Sequence, residues 1–276
     1  MHPAARASDK TLCEHRDGEI KLPCCPSVKA GTQPSARFAD RSKCPAEPDT
    51  IQEGASTVLI GGLPASRKSD GTFHKGVITI GLDSVKVGGP KVTGKQMSNG
   101  DPTNTFVAYD PVAGRMFIVS YLEYHGPDAT QAIADNSKKQ IEDVWSGATT
   151  IDGKPVKVTV QVNTNVKPTG TPTPGYDRIN IDASTARSNQ TLGGGAGNQD
   201  PKAITGTERV AAHEYGHTLG IDDQYTDTPT GSVPDPTKTK NTKSNIMAQT
   251  WPDADGTQPH PYPEHYENVL KNVGLP

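Results

Sequence analysis

Apolar residues recur at two spacings, and each spacing predicts a different element. Early in the chain they come in short alternating runs broken by turn residues. Gly54-Ala55-Ser56-Thr57-Val58-Leu59-Ile60 and Gly81-Leu82-Asp83-Ser84-Val85-Lys86-Val87 predict brief strands. Later, Arg115 to Leu122 and Val156 to Val162 have strand composition, the second with clean alternation, while Ala129 to Trp145 sets Ile133, Ile141 and Val144 at helical spacing. Glu264 to Val273 predicts a terminal amphipathic helix. Polar stretches rich in Gly, Pro and Thr at 164–176, 187–203 and 226–243 are expected as loops around a cleft. The fold class expected is therefore α+β overall, with a small all-β part over residues 1–90, a Gly, Lys, Asn and Thr-rich linker at 91–104, and an α/β domain over 105–276.

Self-comparison sharpens the first part. The pattern Pro-small-small-Arg-x-small-Asp occurs at Pro3 to Asp9, Pro34 to Asp40 and Pro64 to Asp70. One such unit cannot bury a face alone, so three are expected to pack about a shared axis. Four residues beyond each Asp stand Cys13, Cys44 and His74, and His15 follows Cys13 closely, so a threefold arrangement would gather a tetrahedral Cys2His2 set for a second, structural metal, expected as zinc. Cys24 or Cys25 could replace Cys13 or His15. A Cys13–Cys44 disulfide is the competing reading, because all four cysteines lie in the first 44 residues.

Composition narrows the classes. With 28 Gly, 24 Pro, 32% hydrophobic residues and a mean hydropathy of -0.63, the chain lacks the roughly 18 consecutive apolar residues of a spanning helix, so no stable membrane insertion is expected. Residues 1–30 hold no apolar core for an export signal, which predicts synthesis in the cytoplasm without a signal peptide. Twelve basic and ten acidic residues up to position 90, and 16 and 21 thereafter, leave no basic footprint for nucleic acid.

The three Pro-Ala-Ala-Arg-like units resemble a PAAR-repeat domain over residues 1–90. The resemblance implies a small β cone capping the trimeric VgrG spike of a type VI secretion system, with a metal near its point and export with the spike into target cells. The usual ligand set there is three histidines and one cysteine, from which this chain departs.

In the second part, His213-Glu214-Tyr215-Gly216-His217 matches H-E-x-x-H, and Thr205 with Glu208 predicts a capping box that starts the helix. Residues four apart share a helix face, so both imidazoles can reach one catalytic zinc ion, while Glu214 beside them can take a proton from water. Gly220 is placed to end the helix, and Asp223 completes H-E-x-x-H-x-x-G-x-x-D. This segment resembles the metzincin zinc peptidases, whose third ligand is usually His and in a minority, snapalysin-like enzymes among them, Asp. The resemblance implies Asp223 as third ligand, with Asp222 as neighbouring competitor, and a Met-turn at Met247 beneath the metal. Tyr262 or Tyr266 could stabilise an oxyanion, although packing is the expected role of the His260, Tyr262, His265 and Tyr266 cluster. Tyr215 and Tyr225 are expected beside the chemistry rather than in it.

Together the resemblances imply a type VI secretion effector: a PAAR tip delivering a zinc endopeptidase toxin that hydrolyses a peptide or protein substrate, opposed in the producer by an immunity protein. A structural tip with an inactive C-terminal domain, and a zinc amidase or endopeptidase acting on peptidoglycan stem peptides, are the alternatives.

Overall fold

The computed structural model describes residues 1–276 except 15, 46, 100, 186, 207, 229, 230, 240–242 and 251, and the side chains of 99, 101 and 231. The chain divides into two compact units, Met1–Lys95 with Ala108–Phe117, and Gln96–Val107 with Ile118–Pro276. Strands dominate, and four helices occur among the described residues.

In the first unit, β1 (His2–Ala4), β2 (Lys10–Cys13), β3 (Arg16–Ile20), β4 (Cys25–Ala30), β5 (Gln33–Ser35), β6 (Arg41–Lys43), β7 (Pro48–Thr50), β8 (Glu53–Ile60), β9 (Leu63–Ala65), β10 (Val77–Ile78) and β11 (Leu82–Val87) are short. The repeat explains how they are held. Ala5 N–H donates to Ser66 C=O, Ala36 N–H to Ala5 C=O and Ser66 N–H to Ala36 C=O, at 3.0, 2.9 and 3.0 Å, a closed ring through equivalent positions of the three units. Within each unit the Asp accepts from the Arg backbone N–H and guanidinium, as Arg37 N to Asp40 Oδ2 at 2.8 Å and Arg37 Nη2 to Asp40 Oδ1 at 2.9 Å. The small residue before each Asp, Ser8, Ala39 or Ser69, has positive φ, which a bulky or β-branched side chain would resist. Ala5, Ala7, Ile20, Ala36, Ile51 and Ile78 fill the centre. Three packed units about one axis, as the spacing predicts, are what the backbone forms.

The segment 91–104 is not a linker. β12 (Lys91–Asn99) pairs its Lys91, Val92 and Thr93 with Ala55, Gly54 and Glu53 of β8, and β13 (Asp101–Asp110) follows. Its polar composition misleads because Thr is β-branched and suits a strand, and here Thr103 Oγ1 donates to Met97 C=O at 3.1 Å while Val92 and Met97 are buried.

The second unit is built on β14 (Arg115–His125) from Ile118 onward, α1 (Gln131–Trp145), β15 (Gly147–Ile151), β16 (Lys154–Val166), β17 (Asp177–Ile181), β18 (Asn189–Gln190), β19 (Ala196–Gln199), α2 (Pro201–Thr205), α3 (Val210–Thr218), the hairpin β20 (Tyr225–Thr228) and β21 (Gly231–Pro234), and α4 (Pro263–Val273). β17 runs parallel to β14, β19 parallel to β17, and β18 antiparallel to β19. Helix α1 starts at the Thr130 cap and packs against β16 and α3. The stretches 187–203 and 226–243, expected as loops, therefore carry β18, β19, the first turn of α2 and the β20–β21 hairpin. Too short to show periodicity, these strands take their pairing from neighbours.

Candidate functional site

Helix α3 carries the H-E-x-x-H residues, and all nine of its residues are buried. Its start differs from the expected capping box. Thr205 instead ends α2, its hydroxyl donating back to Pro201 C=O at 3.1 Å, and the side chain at the cap position, Arg209, makes no capping hydrogen bond. Gln140 of α1 supplies the acceptor, Oε1 taking Ala211 N–H at 3.2 Å, while Trp145 Nε1 donates to Ala212 C=O at 2.8 Å. An uncapped buried helix end is costly, and a neighbouring helix removes that cost here. At the far end Gly220 adopts φ 77°, its N–H donating to His217 C=O, and the chain turns back toward the helix.

That turn delivers Asp223 to the two histidines. Asp223 Oδ1 lies 3.1 Å from His213 Nε2 and 3.2 Å from His217 Nε2, and each ring donates from Nδ1 to a carbonyl, His213 to Ile246 at 2.7 Å and His217 to Ile221 at 2.8 Å. With Nδ1 donating, a neutral ring presents an Nε2 lone pair. Two lone pairs and a carboxylate oxygen, all within 4.8 Å of one another, then converge on one point. Acceptors so placed need protons or a cation among them. The donor set, two imidazoles and a carboxylate with both Nδ1 atoms fixed by backbone, suits zinc. Burial raises Asp223, but the Nε2–H groups of His213 and His217, when those rings are protonated, donate to it and outweigh burial, so its carboxyl lies well below the usual range; burial lowers His217, and Asp223 with Glu214 brings it above the ordinary value. Asp222 is not in the cluster; its Oδ1 accepts Asp223 N–H at 2.8 Å.

Glu214 is 5% exposed, and its Oε2 is buried with no hydrogen-bond partner. Burial raises its pKa, and the neighbouring His213 and His217 restrain the rise. A buried polar atom left open beside such a cluster marks where a ligand belongs.

Met247 lies under the helix, fully buried, in a turn where Met247 N–H donates to Asn245 Oδ1 at 2.9 Å and Ala248 N–H to Asn245 C=O at 2.9 Å. A Cβ on Gly216 would strike its sulfur, so the glycine inside the motif is what lets the turn approach between the histidines. The same turn presents Ile246 C=O to His213.

Two residues complete the rim. Tyr225 stacks on His213 with ring centroids 6.0 Å apart. Arg187, which no sequence pattern singled out, donates to Tyr225 Oη, lies over its ring at 5.3 Å and pairs with Asp227 at 2.9 Å. Only its position after folding marks it. Tyr215 points the other way, its hydroxyl 2.7 Å from Ser120 Oγ.

The C-terminal aromatic residues bond to backbone and neighbouring side chains. Tyr262 Oη donates to Lys243 C=O and Tyr266 Oη to Trp145 C=O, His260 Nδ1 lies 3.3 Å from Gln258 C=O, and His265 is fully buried between Tyr262 N–H and Gln224 Oε1.

The proposed tip ligands assemble only in part. Cys13 and Cys44 form a disulfide with Cα atoms 6.3 Å apart, the competing reading of that pair, and offer no thiolates in this state. His74 Nε2 lies 3.6 Å from Glu47, its Nδ1 is buried without a partner, and His15 lies outside the described residues. Cys24 and Cys25 are buried free thiols; Cys24 donates to Lys21 C=O, and burial pushes its pKa up, against service as a thiolate.

Residues 13–80 match the family model of the PAAR motif, which supports a type VI secretion spike-tip protein. PAAR motifs typically bind a metal ion. No curated protein matches the chain significantly. A solved structure described as that of myroilysin is similar at 13% identity and a TM-score of 0.29, covering 56% of this chain and 92% of that one, a likeness too weak to carry an argument. No helix among the described residues is long and apolar enough to cross a membrane.

Proposed function

We propose that this chain is a type VI secretion effector whose PAAR part docks on the VgrG spike and whose second unit is a metzincin-like zinc endopeptidase acting on proteins or peptides of the target cell. The observation that carries the reading is the convergence of His213, His217 and Asp223 on one point beside the open carboxylate oxygen of Glu214. Zinc held by those three side chains supplies Lewis acidity toward water and a peptide carbonyl. Glu214 accepts the proton of the attacking water at Oε2 and returns it to the leaving amine nitrogen. Ile246 and Ile221 carbonyls hold the two rings in the tautomer that leaves Nε2 available. Met247 supports the helix turn that spaces them. The expected immunity protein would block this cleft. A tip metal on the Cys13 and Cys44 thiolates would require that pair in reduced form.

Glu214→Ala tests the reading. Casein hydrolysis and toxicity should fall about 10²- to 10⁴-fold while the zinc content is unchanged. A variant as active as the parent rejects Glu214 as the base. Digestion of purified sacculi without any of casein would redirect the same chemistry to peptidoglycan stem peptides.

A further inference from the structure

Beside His213 the cleft opens into two lobes of about 300 and 320 Å³, both reaching Glu214. Their walls are acidic. Asp200 and Glu208 stand in the first, Asp222, Asp223 and Asp227 in the second, and Glu214 in both, against the single guanidinium of Arg187 among the described lining residues. Arg187 is already paired to Asp227. A divalent cation on the three ligands would leave the cleft net negative.

The first lobe adds a second feature. Ala203, Val210 and Ala248 line it together with Asp200 and Glu208. Asp200 is fixed, its Oδ1 accepting Lys202 N–H at 2.9 Å at the start of α2. Glu214, whose buried Oε2 has no partner, lines this lobe too, so the lobe opens directly onto the carboxylate beside the scissile bond. An apolar stem ending in a positive charge matches that surface, because lysine and arginine lay their methylenes on apolar walls and keep the charged end among acceptors.

Resting on the peptidase reading above, we infer that the lobe lined by Asp200 and Glu208 takes a lysine or arginine side chain of the substrate, so the enzyme cleaves cationic peptides. Attraction between partly exposed charges is screened, with a Debye length of about 8 Å at 0.15 M salt, so the preference narrows as salt rises.

Zinc-loaded full-length chain is assayed with quenched fluorescent peptides carrying lysine, norleucine or glutamate in turn at each position flanking the scissile bond. At one position lysine should exceed norleucine in kcat/KM by about tenfold, the scale of one charge-assisted hydrogen bond, with glutamate slowest. Glu208→Lys should reverse the order at that position. Equal rates for the three residues at every position, or a preference for glutamate, overturn the inference and leave the peptidase reading standing. If no peptide is cut, calorimetric binding of the lysine and norleucine peptides to zinc-loaded Glu214→Ala decides separately: tighter lysine binding upholds the subsite while the peptidase reading fails, and equal binding rejects the subsite.

Discussion

Single atoms decide much of the site. Gly216 is the clearest case, since an added methyl would meet Met247 sulfur and the Trp145 ring. Gly216→Ala should cost about 1–3 kcal/mol by overpacking, read as a lower Tm, and should weaken zinc affinity because the turn beneath the histidines must shift. His265 makes a pH prediction. Its Nδ1 accepts Tyr262 N–H, and Nε2, 3.1 Å from Gln224 Oε1, donates to it, so only the neutral ring fits. Burial lowers its pKa to about 4 from 6.5. The folded state then binds fewer protons than the unfolded one, and stability is lost as pH falls from about 6.5 toward 4, by about 3 kcal/mol for this group. Urea melts over that range should show the loss, and His265→Gln should flatten it; a parent curve already flat would reject the assignment. The motif residues were legible because helical spacing alone sets them on one face. Arg187 was not, because a polar stretch without period carries no sign of what it will face.

Elements show where local pattern suffices and where it does not. The three Arg-Asp pairs were visible as a repeat, and the structure gives the repeat its reason, an Asp that holds both the backbone and the guanidinium of its Arg. Arg37 and Asp40 side chains are each 7% exposed, whereas Arg6 is 21% exposed. Asp40→Ala, which removes the carboxylate from a buried guanidinium that keeps its bond to Cys24 C=O, should therefore cost about 3 kcal/mol, and Asp9→Ala less, in thermal melts of the full chain. For α3 the local signal misled. Thr205 and Glu208 have the spacing of a capping box, but Thr205 is used to close α2, and the cap comes from Gln140, distant in sequence. Gln140→Ala should cost about 1–3 kcal/mol by leaving Ala211 N–H unpaired. The strands of 91–104 were hidden for a related reason: threonine and lysine read as linker until a partner strand is present.

At the scale of the molecule, the proposed function joins a spike-tip motif to a proposed hydrolytic site, and the candidate metal ligands of the two differ in availability. The tip pair Cys13 and Cys44 is closed in a disulfide, while the triad of the second unit stands with its donors turned to one point. Zinc stoichiometry therefore tests the central claim most directly. Chelator-stripped full-length chain, titrated with zinc beside a His213→Ala, His217→Ala double variant, should bind one equivalent more than the variant, and that equivalent alone should restore casein hydrolysis. Equal stoichiometry in the two proteins would contradict it.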